Sequence, residues 1–367
     1  MTLKEAIKVS IITVVYNGVS TIEKTIKSVI NQKYSNIEYI IIDGASTDGT
    51  QELIQKYANY IDIFISEEDK GLYYAMNKGI SNASGDIIGI LNSDDLYVNT
   101  AIVQVADYYK KHEVDIVYGN ALWFGGSEKT ELYNCNDIEE LWYRMAIPHP
   151  ATFVKREIYE QYGLFNIKYR ISADYDLMLR LYSQNLKFGH IDEVITYFRR
   201  GGMSVKKQKE AFDEGIEISL HYIPKSNDKE KWLSRLYEYN LLGRFSVLLL
   251  ENKKTVIKVF ENMIYKESNN KLVIFGIGKW GEYCIKILLN AGIHIEFVVD
   301  NNTLKWGEQF YGVPIKSPSK LYGYKGVILT TAYKYEKEIR QQLKEIDEQL
   351  KVYSIQDWAE ASMQEDL

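Results

Sequence analysis

Asp86-Ile87-Ile88-Gly89-Ile90-Leu91-Asn92-Ser93-Asp94-Asp95 is the stretch that decides the fold. Its first six residues form a short apolar run of the kind that makes a buried strand, and two adjacent carboxylates follow where that strand ends. In an open α/β sheet the strand ends are where ligands bind. Two like charges side by side are unfavourable unless a cation or a donor-rich ligand neutralises them. A divalent cation carrying a diphosphate meets that requirement, and oxygen ligands suit magnesium or manganese. The alternative is a turn with a helix cap, since Asp is common in both roles.

Upstream of this stretch, strand and helix patterns alternate. Residues 9–15 are β-rich and apolar, and residues 21–32 carry Ile22, Ile26, Val29 and Ile30 at helical spacing. Strands are expected at 38–42, 62–66 and 115–118, and helices at 48–57 and 71–83. Short connections between such elements predict a mostly parallel sheet covered on both faces. Residues 120–210 are less regular, with a strand at 152–154 and a helix over about 173–184. Residues 211–268 read as helices only, and a second β/α alternation begins at 271. The expected organisation is therefore an α/β domain over 1–210, a helical linker over 211–268 and a second, smaller α/β domain over 269–367.

Composition narrows the function classes. The chain is 46% hydrophobic and 26% charged with a net charge of −6, so it carries no nucleic-acid footprint. Its two cysteines, Cys135 and Cys284, are too few and too far apart for a disulfide framework or a cysteine metal site, which fits a reducing cytosol. The first eight residues do not read as a signal peptide, and apolar runs such as 245–250 are too short to span a bilayer. The expectation is a cytoplasmic protein, soluble or resting on the inner face of the membrane.

Three polar strand ends converge in such a sheet. The first strand ends at Val15-Tyr16-Asn17, the second runs into Asp43-Gly44-Ala45-Ser46-Thr47-Asp48-Gly49-Thr50, and the third element is Asp94-Asp95. Asp43 can accept hydrogen bonds from a base or ribose, and Gly44 allows close backbone approach. Each piece also has a local reading: Asn17-Gly18 is a turn signal, and Ser46 or Asp48 can cap a helix.

With these pieces in order the chain resembles the family 2 glycosyltransferases of GT-A fold. The resemblance rests on Val14-Val15-Tyr16-Asn17, Ile42 to Thr50, Ser66 to Gly71, Ala75-Met76-Asn77-Lys78-Gly79, Ala83-Ser84-Gly85-Asp86 and Asn92-Ser93-Asp94-Asp95. It continues through Ser172-Ala173-Asp174-Tyr175-Asp176-Leu177 and Arg199-Arg200-Gly201-Gly202-Met203-Ser204, covering residues 8 to about 205. The resemblance implies an inverting transfer of a sugar from a nucleotide diphosphate sugar, a UDP-sugar first, to a hydroxyl of a glycan or lipid-linked acceptor in surface polysaccharide biosynthesis. It implies donor contacts from Val15, Tyr16, Asn17, Asp43, Lys70, Asn77, Ser93 and Asp94, a Mn or Mg site at Asp94 and Asp95, and Asp174 as catalytic base. Asn92 stands where many members have a first Asp, and Gly201 and Gly202 where some place a metal-binding His.

The chemistry is consistent with those roles. A metal at Asp94 and Asp95 would act as Lewis acid on the leaving diphosphate. The acceptor hydroxyl needs a base within reach, and Asp174 lies just inside a helix start whose dipole favours its ionised form. Asp176, two residues on, points elsewhere and is a structural or acceptor contact. His149, between Pro148 and Pro150, is a candidate for the acceptor pocket. Arg199, Arg200 and Ser204 are candidates for a loop closing on phosphates, with arginine as bidentate donor.

A second fingerprint lies near the C-terminus. Phe275-Gly276-Ile277-Gly278-Lys279-Trp280-Gly281 follows an expected strand and opens an expected helix, with Asp300 about 20 residues further on. The region resembles Rossmann-like domains found beside sugar-modifying enzymes. Gly276, Gly278, Gly281 and Asp300 are candidates for a second nucleotide or NAD site. No Tyr-x-x-x-Lys pair follows, which favours a binding, packing or oligomerisation module over a second enzyme that modifies a nucleotide sugar. Residues 253–266 place Val256, Ile257, Phe260, Met263 and Ile264 on one face among lysines, a pattern open to a peripheral membrane contact or to packing against a neighbouring domain.

Overall fold

Val9–Val15 (β1) is buried along its whole length, because it has a strand on each side and helices on both faces. The computed structural model describes residues 7–125, 130–133, 135, 137–224, 228–265 and 270–365. The chain divides into two compact units, Met1–Leu236 and Tyr237–Leu367, and the boundary falls inside one long helix.

In the first unit β1 pairs in parallel with Ile37–Asp43 (β2), which pairs with Ile63–Ser66 (β3). On its other side β1 pairs in parallel with Ile87–Ile90 (β4). Leu96–Tyr97 (β5), Ile116–Phe124 (β6), Glu131–Tyr133 (β7), Thr152–Lys155 (β8) and Phe188–Arg199 (β9) complete a sheet of order β3-β2-β1-β4-β8-β6-β9-β5, with β7 on β6. The helices in this unit are Ile22–Ile30 (α1), Thr50–Gln55 (α2), Leu72–Asn82 (α3), Ala101–Lys111 (α4), Arg156–Tyr162 (α5), Ala173–Ser183 (α6), Met203–Lys206 (α7) and Gln208–Tyr222 (α8).

Successive side chains on a strand point to opposite faces. Ile12 and Val14 of β1 therefore join Ile40, Ile42, Met76 and Ile80 in one core, while Val9, Ile11 and Val15 join Ile22, Ile26 and Tyr39 in the other. Burying Ile22, Ile26 and Val29 of α1 against the sheet stabilises it by roughly 1.5–3 kcal/mol per side chain.

The sheet is mixed rather than mostly parallel. β8 runs antiparallel to both β4 and β6, and β5 antiparallel to β9. The stretch expected to be irregular contains the longest strand, the twelve-residue β9, which follows β6 with register shifts at Gly119, Asn120 and Ala121. Such bulges break the two-residue alternation that marks a strand in sequence.

Among the described residues the second unit has five parallel strands, Leu272–Phe275 (β10), Phe297–Val299 (β11), Val313–Lys316 (β13), Val327–Thr330 (β14) and Lys351–Ser354 (β15), with Gln309–Phe310 (β12) antiparallel at one edge. Their order is β12-β13-β11-β10-β14-β15, so the parallel strands lie third-second-first-fourth-fifth, the doubly wound arrangement.

The helices expected as a linker are shared out. In the first unit α8 packs on α6. Lys229–Glu251 (α9) spans the boundary between the units. In the second unit Lys253–Phe260 (α10) packs on the C-terminal helix Ile355–Glu365 (α13), which lies beyond Lys279–Asn290 (α11) and Glu336–Ile346 (α12). Val256, Phe260 and Ile264 are buried there, and Trp358 Nε1 donates to the Val256 carbonyl at 3.1 Å. The apolar face considered for a membrane is thus taken up inside its own unit. Among the described residues no helix is long and apolar enough to cross a bilayer.

Candidate active site

The parallel register sets Val15 opposite Asp43, so β1 and β2 end together at one edge of the sheet. Their loops are clasped. The Asn17 N–H donates to Ser46 Oγ at 2.7 Å, the Thr47 N–H donates to Asn17 Oδ1 at 2.9 Å, and the Gly44 N–H donates to the Val15 carbonyl at 2.9 Å. Asn17 and Ala45 both adopt left-handed backbone, at φ 50° and 59°. Non-glycine residues hold that conformation only where the surroundings enforce it, and such positions cluster at binding sites.

This edge opens into a cleft of about 1220 Å³, ample for a ligand larger than a drug-sized molecule. Val15, Tyr16 and Asn17 line it from β1, Lys70 and Tyr73 from the start of α3, and Asn92, Ser93 and Asp94 from the end of β4. His149, Asp174 and Arg199 line it as well, as do Trp123 and Phe198, whose rings stack at 4.7 Å. Tyr16 lines the cleft and is 70% exposed.

The two adjacent carboxylates part company. Asp94 faces the cleft, and burial pushes its pKa up while the Arg199 and Lys206 charges pull it down. Asp95 is 1% exposed and lies off the cleft, with Oδ1 accepting the Arg199 N–H at 2.9 Å. Burial first, and then the Asp94 charge, hold Asp95 well above the usual carboxylate range. Asp95 thus ties β9 to the end of β4, and Asp94 is the carboxylate presented to a ligand. Among the described residues no group of three or more His, Cys, Asp or Glu is placed to hold a metal unaided. A half-buried carboxylate short of neutralising charge does fit a hard divalent cation, which commonly completes its shell with phosphate oxygens.

Asp43 is fully buried. Its Oδ2 accepts the Ser46 N–H at 3.0 Å and the Ser66 hydroxyl at 2.6 Å, while Oδ1 has no partner in the protein. An unpaired buried acceptor costs about 1–3 kcal/mol, so Oδ1 favours an incoming N–H or O–H.

Asp174 sits at the second position of α6, half-buried in the cleft wall. Tyr73 OH lies 3.0 Å from its Oδ1, and the Tyr175 N–H donates to the same oxygen at 2.9 Å. Both contacts use one oxygen and leave Oδ2 to the cleft. Tyr73 OH also meets the Ile171 carbonyl at 2.7 Å. The turn that leads into α6 is held from α8: the Glu214 carboxylate accepts the N–H groups of Arg170, Ile171 and Ser172 at 2.8, 3.0 and 2.8 Å. Tyr73 and Glu214 escape a reading of the sequence, because neither lies in a motif that signals its partner. His149 packs edge-on against Phe165 at 5.6 Å. Burial lowers its pKa against the pull of Asp174, so the ring is neutral at pH 7.

Other expected site residues serve the scaffold. Asn77 exchanges two hydrogen bonds with the Phe165 backbone, at 2.9 and 3.0 Å. Asp176 is 2% exposed, accepts from Tyr222 OH at 3.2 Å and lies 3.9 Å from Arg180. Arg200 pairs with Glu131 at 2.9 Å and lies over the Trp123 ring. Ser204 falls in α7, with its side chain outside the described residues.

In the second unit Gly276 has φ 100°, which favours glycine, and a Cβ on Gly281 would lie 2.0 Å from the Gly276 carbonyl oxygen. Only glycine lets α11 approach the loop so closely. A Cβ on Gly278 would meet nothing within 4 Å. Asp300 Oδ2 accepts the Ile277 N–H at 3.0 Å and pairs with Lys305 at 3.5 Å, and Oδ1 accepts the Asn302 N–H at 2.8 Å. Both carboxylate oxygens are therefore engaged within the unit.

Residues 10–167 match the family model described as Glycosyl transferase family 2, and residues 268–353 match one described as C2185-like, N-terminal. The chain is 32% identical over 224 residues to the UDP-Glc:alpha-D-GlcNAc-diphosphoundecaprenol beta-1,3-glucosyltransferase WfaP of Escherichia coli, a match spanning 58% of this chain and 88% of that protein. It is 30% identical over 203 residues to a PGL/p-HBAD biosynthesis glycosyltransferase of Mycobacterium tuberculosis, spanning 53% of this chain and 78% of that protein. Among solved structures it resembles Staphylococcus aureus TarS 1–349 in complex with UDP, with TM-score 0.54 and 15% identity over 69% of this chain and 78% of that chain. The mannosyltransferase PcManGT from Pyrobaculum calidifontis, in complex with GDP-Man and Mn2+, gives TM-score 0.52 and 17% identity over 65% of this chain and 72% of that chain. At these identities the structural likeness carries the fold alone, a mixed α/β fold like that of GT-A glycosyltransferases. With more than two thirds of a relative matched at 30% identity or better, the chain belongs to glycosyl transferase family 2 and is a glycosyltransferase.

Proposed function

We propose that this protein transfers a sugar, with inversion at the anomeric carbon, from a UDP-sugar to a hydroxyl of a glycan or lipid-linked acceptor of a surface polysaccharide. The observation that carries the reading is the pairing of Asp94 and Asp174 across one cleft, the first beside Arg199 and Lys206, the second with an oxygen left to the cleft. The name of the Escherichia coli relative supports inversion, since a β-1,3 product from UDP-Glc is the outcome of a single displacement on an α-linked donor.

In this reading Tyr16 stacks on the base, and Asp43 Oδ1 accepts from it once the clasped loops admit it. Asn17 and Ser93 face the ribose. Asp94 would hold Mn or Mg together with the donor phosphates, and the bound cation would neutralise charge on the leaving diphosphate. Arg199 and Lys206 neutralise the same charge from the protein side. Asp174 accepts the proton of the acceptor hydroxyl through Oδ2, while Tyr73 and the Tyr175 N–H hold Oδ1 and fix the carboxylate plane. Neutral His149 lines the acceptor side and adds no charge that would compete with Asp174.

The proposal assigns the donor site wholly to the first unit and gives the second, a Rossmann-like module, a binding or structural role. The engagement of both Asp300 oxygens within the unit supports that role over a bifunctional enzyme acting through NAD. The deciding experiment incubates the protein with a panel of nucleotide sugars and Mn2+, and reads anomeric configuration of the product by NMR. An anomer retained from the donor would overturn the assignment of Asp174 as base.

A further inference from the structure

Helix α8 grips the segment around Asp174 at several points. Lys168 pairs with Glu217, and the Ser172 hydroxyl donates to the Ala211 carbonyl at 3.3 Å. The hydroxyls of Tyr175 and Ser219 meet at 2.8 Å, and Tyr222 OH donates to Asp176 at 3.2 Å. The firmest hold is Glu214. One of its oxygens accepts the Arg170 N–H, and the other accepts the N–H groups of both Ile171 and Ser172. Bonds of this kind, from backbone N–H to a carboxylate, are roughly twice as strong as neutral ones. Glu214 is half-buried and does not line the cleft.

The start of a helix is ordinarily satisfied by the side chain of its own N-cap residue. Ser172 holds that position in α6 and has the right hydroxyl, yet it makes no capping bond and turns to α8 instead. A local cap would fix α6 only with respect to its own first turn. A carboxylate from 42 to 44 residues away fixes it with respect to a second helix. Tyr73 of α3 ties the same turn from another side, through the Ile171 carbonyl and Asp174 Oδ1. Ile171 thus has its N–H held by α8 and its carbonyl held by α3, three residues ahead of Asp174. Stability asks only that the helix start be capped. Fixing it against two other helices sets where one side chain lies. A general base has that need, because it must meet its proton within about 2.6–3.2 Å. A misplacement of about 1 Å can cost roughly 10²-fold in rate.

We infer that Glu214 is a positioning residue for the transfer reaction: by holding three successive amides it sets Asp174 at the acceptor hydroxyl, and it touches no substrate itself. The inference rests on the reading of Asp174 as base and adds the residue through which α8 governs it.

The test compares Glu214→Gln, Asp174→Asn and the double variant in the full chain with Mn2+. Glutamine keeps the shape, but it has one acceptor oxygen and sets an NH2 group against an N–H. The rate is UDP released from the nucleotide sugar that the panel above selects, and UDP affinity is read by calorimetry. Glu214→Gln should lower kcat at least about tenfold and leave UDP affinity within about twofold. In the Asp174→Asn background the same change should alter the residual rate by less than about twofold, since the group it displaces no longer accepts a proton. Glu217→Gln, which removes another α8 contact to the same segment, should turn over as the wild type does. If Glu214→Gln does not fold, Glu214→Asp, which keeps the charge and gives up one methylene of reach, replaces it in the same measurements. A kcat within twofold of wild type would overturn the inference. So would an equal fold-loss with and without the Asp174 carboxylate, a loss of UDP affinity in step with kcat, or an equal loss in Glu217→Gln. A wild type that releases no UDP from any nucleotide sugar, or an Asp174→Asn protein as active as wild type, would strike the donor-and-base reading and this inference with it.

Discussion

Replacing Glu38 with Gln should lower the stability of the first unit without touching its chemistry. Glu38 lies at the start of β2, 7% exposed, and its carboxylate gathers four hydrogen bonds. Lys8 Nζ and the Ser84 hydroxyl donate to Oε1 at 2.7 and 2.5 Å, and the Ser10 hydroxyl and the Ser84 N–H donate to Oε2 at 2.5 and 2.7 Å. Burial alone would raise its pKa, but the bonds from Lys8, Ser10 and Ser84 outweigh it and pull the value from 4.5 down to about 2. At about 1.36 kcal/mol per pH unit that displacement corresponds to about 3 kcal/mol of stability. Lys8 is partly exposed and its share is screened by solvent, so we expect a loss of about 2 kcal/mol. For a unit of this size that is roughly 4–8 °C in melting temperature, read by calorimetry at pH 7. The sign follows from the depressed folded-state value. The contribution is complete above pH 4.5 and fades as the pH falls toward 2, so the gap between wild type and variant should close over that window. Five residues of strand, about 16 Å, separate Glu38 from Asp43, so kcat at 25 °C should be unchanged. Equal melting temperatures at pH 7, or a gap that persists undiminished to pH 2, would refute the reasoning.

Three further outcomes test the cleft and the second unit. Asp174→Asn keeps the hydrogen-bonded oxygen but removes the proton acceptor, so kcat should fall at least roughly 10²-fold while the affinity for UDP stays within about twofold; transfer at an undiminished rate would remove Asp174 from the mechanism. Asp94→Asn should abolish any gain in UDP affinity on adding Mn2+, measured by titration with and without chelator; a gain of the same size in the variant would place the cation elsewhere. Gly281→Ala forces its methyl toward the Gly276 carbonyl and should destabilise the second unit by about 1–3 kcal/mol, whereas Gly278→Ala has open space and should melt as the wild type does.

Much of this site can be read from the sequence because it lies at strand ends, and the strands announce themselves. β1, β2 and β4 are short apolar runs followed at once by polar residues, so Asn17, Asp43 and Asp94 could be set on one edge before any coordinates. The division of labour between Asp94 and Asp95 could not. It depends on the Arg199 N–H of β9, a strand whose bulged pairing with β6 hides its periodicity. Asn77 and Asp176 carry the residue types of a binding site but spend them on the Phe165 backbone and on Tyr222. The contacts that brace Asp174 come from 101 residues away at Tyr73 and, for the turn before it, 42 to 44 residues away at Glu214. Nothing local encodes partners at such separations.

The bond from Glu214 to the turn before Asp174 bears on how such enzymes can be recombined. The segment shared with the family model ends at residue 167, ahead of Asp174 itself, and Glu214 belongs to α8, later still. A chimera joined at the end of the matched segment would take Asp174 and Glu214 from one parent and Tyr73, whose hydroxyl also meets Asp174, from the other. A junction between residues 176 and 214 would draw Asp174 and Glu214 from different parents. Three amide groups would then face whatever side chain the new parent supplies, and Asp174, the base in the proposed mechanism, would follow a turn that has lost those bonds. Grafting acceptor preference from one family member to another should therefore treat the stretch from the α6 turn through α8 as one inheritable piece.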